Sequence, residues 1–256
     1  MRISILTMCP EMFRDFLSSH VVKRAEKLGA GRVRIYDIRD YAGGSFRHTD
    51  DSPFGGGRGL ILRMGPVLAA MEAAERDAAE EGQAGQTLRA ALVPAGLPYD
   101  QKRAHVLAAC GHLILICGHY EGMDARIYDH VDLRLSIGDY ILTGGEIPAM
   151  AVADSVLRLL PGILRDGSPE EESFENGLLE YPQYTQPADY EGEKVPEVLL
   201  SGNHAKIRAY RLRESLRETL ALRPDLLEER TLTPEEAACL AEIRKEGEDS
   251  IEDWPD

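Results

Sequence analysis

Three glycine-rich segments, each after a strand-like run, are the first candidates for chemistry. They are Pro94-Ala95-Gly96, Gly118-His119-Tyr120-Glu121-Gly122, and the ten residues 136–145, Ser-Ile-Gly-Asp-Tyr-Ile-Leu-Thr-Gly-Gly. Glycine lets bare backbone approach a ligand closely, and ligands of open α/β sheets sit outside the carboxyl ends of strands. One such loop is an ordinary turn. Three together, two of them bearing a Tyr and an acid, favour a shared cleft. A fourth segment, Asp50 to Gly59, carries three successive glycines with Phe54 beside them and Arg47, His48 and Arg58 flanking. A surface turn would explain it. Its length and its cluster of Arg, His and aromatic side chains favour a loop that contacts RNA or phosphate.

The common nucleotide and metal signatures are absent. There is no GxxxxGK(S/T), not even a Gly-Lys dipeptide, and no GxGxxG, so a P-loop is excluded and an ordinary dinucleotide fold loses its main mark. Neither HExxH nor paired CxxC occurs. His105, His112 and His119 recur every seven residues, but they span a helix, a turn and a loop, so the spacing reads as chance.

The elements that must hold these loops alternate. Residues 2–8, 33–38, 89–93, 113–117 and 131–136 read as strands. Residues 11–28, 66–81, 100–109 and about 148–160 read as helices, with Asp100 as a cap. Residues 43–59 form a long loop, uncommon unless it works. The alternation predicts an α/β fold with a mainly parallel sheet and helices on both faces. After Pro161-Gly162 the periodicity stops. Residues 163–200 read as a flexible linker and extended segment. Residues 203–222 read as an amphipathic helix, with Ile207, Tyr210, Leu212 and Leu216 inward and Arg208, Arg211, Arg213 and Arg217 outward. Thr233-Pro234-Glu235-Glu236 starts another helix. The domains expected are therefore 1–162, the linker 163–200, and a small helical domain over 201–256.

Length and charge fit this division. The 256 residues suffice for one large core or two modest domains. The longest strongly apolar run, Leu113 to Cys117, is too short for a membrane span. The amino terminus lacks a signal-peptide profile. Four cysteines without a framework read as reduced, buried small hydrophobes, which points to the cytoplasm. A net charge of −15 argues against nucleic acid, but its distribution weakens that argument. Residues 225–256 carry 12 acids against 3 bases, and residues 166–197 carry 10 against 1. Residues 1–70 carry 11 bases against 7 acids, and residues 201–223 carry 6 against 2. Two basic surfaces survive, and phosphate binding depends on local charge.

Five blocks in order carry a resemblance: PFGGGRGL, GHYEGMDARI, SIGDYILTGGEIPAM, ESFENGLLEYPQYTQP and VLLSGNHAKI. Over residues 1 to about 223 the chain resembles the bacterial tRNA (guanine-37-N1)-methyltransferases of the SPOUT class. The resemblance implies an α/β domain with a deep carboxyl-terminal trefoil knot, an exception to the usual rule against threading. It implies a homodimer with active sites at the subunit interface, and S-adenosylmethionine as methyl donor. The donor-contacting positions it implies are Pro94 and Gly96 in the first loop and Gly118, Tyr120 and Glu121 in the second. In the third they are Ser136, Ile137, Gly138, Tyr140, Leu142, Gly144 and Gly145, with Pro148 beyond. It also suggests Mg²⁺, although no carboxylate cage is visible in the sequence.

The implied reaction is methylation of guanine N1 at position 37, next to the anticodon. Neutral guanine carries a proton on N1, so a base must remove it and a cation must stabilise the charge on O6. Arg158 matches the family's arginine and takes the second role. Glu172, in Glu171-Glu172-Ser173-Phe174, stands where the family has the Asp of Asp-Ser-Phe, and takes the first. It keeps the carboxylate and adds a methylene; Glu171 is the neighbouring alternative. Asp50, Asp51, Phe54 and Arg58 are candidates for the guanine pocket. Asn203, His204, Lys206, Arg208 and Arg211, with Arg213 and Arg217, are candidates for the tRNA anticodon stem-loop. Ser201 or Asn203 would cap that helix. Two other readings remain open at this point: a SPOUT-type enzyme for another RNA position, and an RNA-binding protein without catalysis.

Overall fold

The computed structural model describes residues 1–43, 48–82, 85–164, 172–228 and 230–246. It divides into two compact units, Met1–Asp166 and Gly167–Asp256.

The strands of the first unit are β1 Arg2–Thr7, β2 Arg32–Asp37, β3 Asp50–Asp51, β4 Ile61–Leu62, β5 Thr87–Pro98, β6 His112–Cys117 and β7 Leu133–Ser136. Its helices are α1 Arg14–Leu17, α2 His20–Lys27, α3 Met64–Glu80, α4 Gln101–Ala108 and α5 Glu146–Arg158. Five strands form one parallel sheet in the order β2-β1-β6-β5-β7. The central strands β1 and β6 are buried along their whole length, as parallel strands covered on both faces must be. Their alternate residues feed two cores. Ile3, Ile5, Leu113, Leu115 and Cys117 pack with Val22 of α2 and with Val152, Val156 and Leu157 of α5. Leu6, Ile114 and Ile116 pack with Val67, Ala70, Met71 and Ala74 of α3. Helices therefore cover both faces, as the alternation predicts.

One polar group lies buried at the start of this sheet. Arg2 is 1% exposed. It donates to Ser4 Oγ at 3.2 Å and to Tyr36 Oη at 2.6 Å, and pairs with Glu81 at 2.9 Å. Those partners are what make a buried guanidinium tolerable. Ser4 Oγ and His112 Nε2 share a hydrogen bond of 2.9 Å. Burial, and Arg2 next to it, lower the His112 pKa to about 4, so the ring is neutral near pH 7.

Several expected boundaries move. The strand expected over 89–93 runs to Pro98, with an irregular register against β7 between Leu92 and Leu97. Pro94-Ala95-Gly96 is thus an irregularity inside a strand and not a turn after one. Gly96 explains it: a Cβ there would lie 2.5 Å from the Leu135 carbonyl carbon, so only glycine lets β7 pass so closely. Helix α5 begins at Glu146, ahead of Pro148, because proline is tolerated in a first turn. Asp100 caps α4 as expected, accepting from Arg103 N–H at 2.8 Å.

The second unit contains the antiparallel pair β8 Asp189–Tyr190 and β9 Glu193–Lys194. It also contains α6 Glu197–Leu200, α7 His204–Leu222, α8 Pro224–Glu228 and α9 Pro234–Glu246. Leu178, Leu216, Leu227, Leu240 and Ile243 form its core. Of the expected linker, Ile163 packs into the core of the first unit, and residues 172–200 are anchored to the second. Leu178 is 2% exposed, and Leu179 N–H donates to Thr219 Oγ1 at 2.9 Å. The physical reason is Leu178, which joins Leu216 of α7 in this core. Asn203, not Ser201, caps α7, accepting from Lys206 N–H at 3.2 Å. Thr233 and Glu236 bond each other's backbone N–H at 3.2 and 2.8 Å, a capping box that starts α9. Among the described residues, no helix is long and apolar enough to cross a membrane.

Candidate active site

The carboxyl ends of β5, β6 and β7 open onto one cleft of about 320 Å³. Leu92, Val93 and Pro94 form one wall. Gly118, His119, Tyr120, Glu121 and Gly122 form a second. Leu135 to Gly138 and Tyr140 to Gly145 form a third, and Pro148 of α5 closes the set. The three glycine-rich segments do converge. Gly96 is not part of the lining, because its α-carbon is pressed against the Leu135 backbone. Tyr140 and Ile141 are exposed, so apolar side chains face the opening.

Backbone geometry sets this shape. Gly145 N–H donates to the Gly118 carbonyl at 2.8 Å. A Cβ on Gly145 would lie 2.6 Å from Cys117 Cα and 2.7 Å from Gly118 N, so the two loops touch through bare backbone. Tyr120 has φ +58° and Gly122 φ +140°, a left-handed turn that presents Tyr120 and Glu121. Ser136 Oγ–H donates to the Gly138 carbonyl at 3.0 Å and holds the third loop's start. Cys117 is fully buried beneath, and burial raises its thiol pKa.

The glycine-rich loop of residues 50–59 is mounted beside the cleft. Its ends pair as β3 and β4, with Asp50 opposite Leu62 and Asp51 opposite Ile61. Leu62 N–H then donates to the Gly122 carbonyl at 2.9 Å. Phe54 is fully exposed, and Arg58 and Asp51 are exposed as well, while Asp50 is half-buried. None of the four lines the cleft. Arg47 lies outside the described residues.

Among the described residues, one group of three potential metal ligands gathers its donor atoms: Cys9, His119 and Glu146, all within 4.8 Å of one another. A thiol, an imidazole and a carboxylate do not fit Mg²⁺, which takes oxygen ligands.

A profile described as tRNA (guanine-1)-methyltransferase TrmD matches residues 1–229. The chain belongs to this family. Three relatives, each described as a tRNA (guanine-N(1)-)-methyltransferase, span nearly its whole length. The Geobacillus kaustophilus protein is 49% identical over 250 residues, covering 97% of this chain and 100% of its own. The Moorella thermoacetica protein is 48% identical over 253 residues, covering 97% and 99%. The Desulforudis audaxviator protein is 47% identical over 246 residues, covering 96% and 97%.

The catalytic and tRNA-binding residues expected from the resemblance fall in both units. Arg158 is half-buried in the last turn of α5, in the first unit. Glu172 is half-buried in the second, and its carbonyl accepts from Glu175 N–H at 3.3 Å. Glu171 lies outside the described residues. His204, Lys206 and Arg208 are exposed at the start of α7.

Arg211, Arg213 and Arg217 each have a partner within the second unit. Arg211 stacks over Tyr181 at 4.6 Å. Arg213 pairs with Glu242 at 3.2 Å and Glu246 at 2.6 Å. Arg217 pairs with Glu214, and with Glu246 at 3.3 Å. The acids of α9 neutralise this side of α7, which a reading of α7 by itself cannot register.

Sequence reasoning also missed His119, Ile141 and Thr143 in the cleft lining. All three lie inside quoted motifs, and position within a motif was the available signal. It missed a second cavity of about 410 Å³ in the second unit, lined by Tyr181, Tyr184, Ile207 and Arg211 among others.

Proposed function

We propose that this chain transfers a methyl group from S-adenosylmethionine to N1 of the guanine at position 37 of tRNA, in the cytoplasm. The observation that carries the reading is the convergence of three glycine-rich loops on one cleft, in a member of this family. Pro94, Gly118, Tyr120, Glu121, the 136–145 loop and Pro148 hold the donor, largely through backbone groups. The donor supplies an already activated methyl. The residues of this chain then have to exclude water, align N1 with the methyl, and move one proton.

Glu172 takes the proton from guanine N1 as the N1–methyl bond forms. Arg158 stabilises the negative charge that builds on O6. Asp50, Asp51, Phe54 and Arg58 shape the pocket for a guanine drawn out of its stack. His204, Lys206 and Arg208, with Asn203 at the helix start and Arg211 behind them, meet the anticodon stem-loop.

The working form is a homodimer with active sites at the subunit interface, a reading carried by the family likeness. The carboxyl-terminal part of the first unit is threaded as a trefoil knot. Two close backbone passages support that reading: Gly96 against Leu135, and Gly145 against Cys117 and Gly118. The helices of the second unit serve the tRNA.

Radiolabelled methyl transfer to unmodified tRNA transcripts tests the whole assignment. Label should appear on a transcript with guanine at position 37 and be absent when that base is adenine. Equal labelling of both transcripts would move the target elsewhere, and no labelling of either would leave a binder without catalysis.

A further inference from the structure

We propose that Cys9, His119 and Glu146 form a binding site for one Zn²⁺ ion at the carboxyl ends of β1 and β6. The three residues come from separate stretches of chain: the turn after β1, the loop after β6, and the first turn of α5. Their ligand atoms nevertheless lie within 4.8 Å of one another. The inference is independent of the methyl-transfer reading.

Three further observations mark the site as built. His119 Nδ1 is buried and lacks a hydrogen-bond partner among the described residues. A buried imidazole nitrogen without a partner is costly, and a metal ion would use its lone pair. Thr7 ties the other two ligands together: its hydroxyl donates to Glu146 Oε1 at 2.8 Å, and its oxygen accepts from Cys9 N–H at 2.9 Å. This is how a residue behind a metal ligand fixes the ligand's orientation. Finally, a Cβ on Gly144 would clash with Glu146 Oε2 and lie 3.1 Å from His119 Nδ1. Only glycine leaves these two donors room to face one another.

The donor chemistry selects the ion. A thiolate, an imidazole and a carboxylate suit Zn²⁺, and leave a fourth tetrahedral position for water. Glu146 is 2% exposed, and the bound ion would compensate its buried charge. On binding, the Cys9 thiol gives its proton to solvent as the Zn–S bond forms. His119 keeps its proton on Nε2 and offers Nδ1. Thiolate and carboxylate together cancel the ion's two charges. Donors in a tetrahedral zinc site stand roughly 3.3–3.8 Å apart, so the present set has to close by about 1 Å. Because His119 and Gly144 also line the cleft, a bound ion would stiffen two of its walls.

The test uses the untagged full-length protein, stripped with a chelator and titrated with Co²⁺. One equivalent should bind and give a thiolate-to-cobalt charge-transfer band with intense tetrahedral visible bands. Zn²⁺ should displace it, and Mg²⁺ should not. Cys9→Ser should remove the charge-transfer band, while Cys239→Ser should leave it. Thr7→Val should weaken Co²⁺ binding about 10–100-fold. A weak octahedral spectrum without a thiolate band, or bands that survive in Cys9→Ser, would overturn the site. The wild-type spectrum decides this even if a variant folds poorly.

Discussion

The N–H of Glu121 donates to the carbonyl of Leu60 at 3.1 Å. This bond joins the end of the exposed glycine-rich loop to the loop after β6 that walls the cleft. Ile61 opposite Tyr120 and Leu62 opposite Met123 extend the contact. Phe54 and Arg58 are thereby carried on a support fixed to the cleft's second wall. A base held by the first loop and a methyl donor held by the second would share one frame.

That arrangement predicts a separation of effects. Phe54→Ala should weaken tRNA binding by about 1–3 kcal/mol if one base stacks on the ring. Donor affinity, measured by calorimetry without tRNA, should stay unchanged. A parallel loss of both would mean that Phe54 supports the cleft itself.

Glu172→Gln keeps size and hydrogen-bonding shape but cannot accept a proton. Single-turnover methyl transfer should fall about 10²–10⁴-fold, with donor and tRNA still bound. Glu172→Asp should retain activity, and Glu171→Gln should change little. Full activity in Glu172→Gln would assign the proton to another group.

The arginines of α7 should divide into two classes. Lys206→Glu with Arg208→Glu should weaken tRNA binding and flatten its salt dependence, by about one unit of slope for each phosphate left without its cation. Arg213→Glu should lower stability, because it sets a third carboxylate against Glu242 and Glu246. Denaturant titration separates the two. A stable Arg213→Glu protein with a reduced salt slope would return that residue to the RNA surface.

The glycines also divide. Gly145→Ala drives a methyl group into the backbone of Cys117 and Gly118, so it should cost about 1–3 kcal/mol and weaken donor binding. Gly65, inside α3, has nothing within 4 Å of a would-be Cβ. Gly65→Ala gains helix propensity but sets a Cβ against the ring of Pro66 that follows, so its unfolding midpoint should stay close to wild type, within about 0.5 kcal/mol.

His112 should make stability fall in mild acid. Its folded pKa is lowered to about 4 from an ordinary 6.5, first by burial and then by Arg2. Between those values the unfolded chain binds a proton that the folded chain refuses. The contribution is therefore whole above pH 6.5 and is lost as pH falls toward 4, on the order of 3 kcal/mol. The difference between wild type and His112→Gln in urea titrations across that range isolates it. Parallel pH profiles would show that His112 is not the group.

Much of this protein was legible in the order of its residues. The buried runs of β1 and β6, the caps at Asp100 and Thr233, and the glycine-rich segments near strand ends report short-range rules of period, capping and backbone freedom. The motif blocks placed the chain in its family. What needed the folded chain were relationships across long sequence separations. Sheet order β2-β1-β6-β5-β7 brings Thr7 to Glu146, 139 residues on, and gathers Cys9 and His119 beside them. The close passage of β7 at Gly96 keeps β5 a strand beyond the proline expected to end it. Helix α9 turns Arg213 and Arg217 from a surface row into ion pairs. Local patterns record how a residue meets its neighbours in sequence, whereas partners in space are fixed only when strands take their order and register and helices dock.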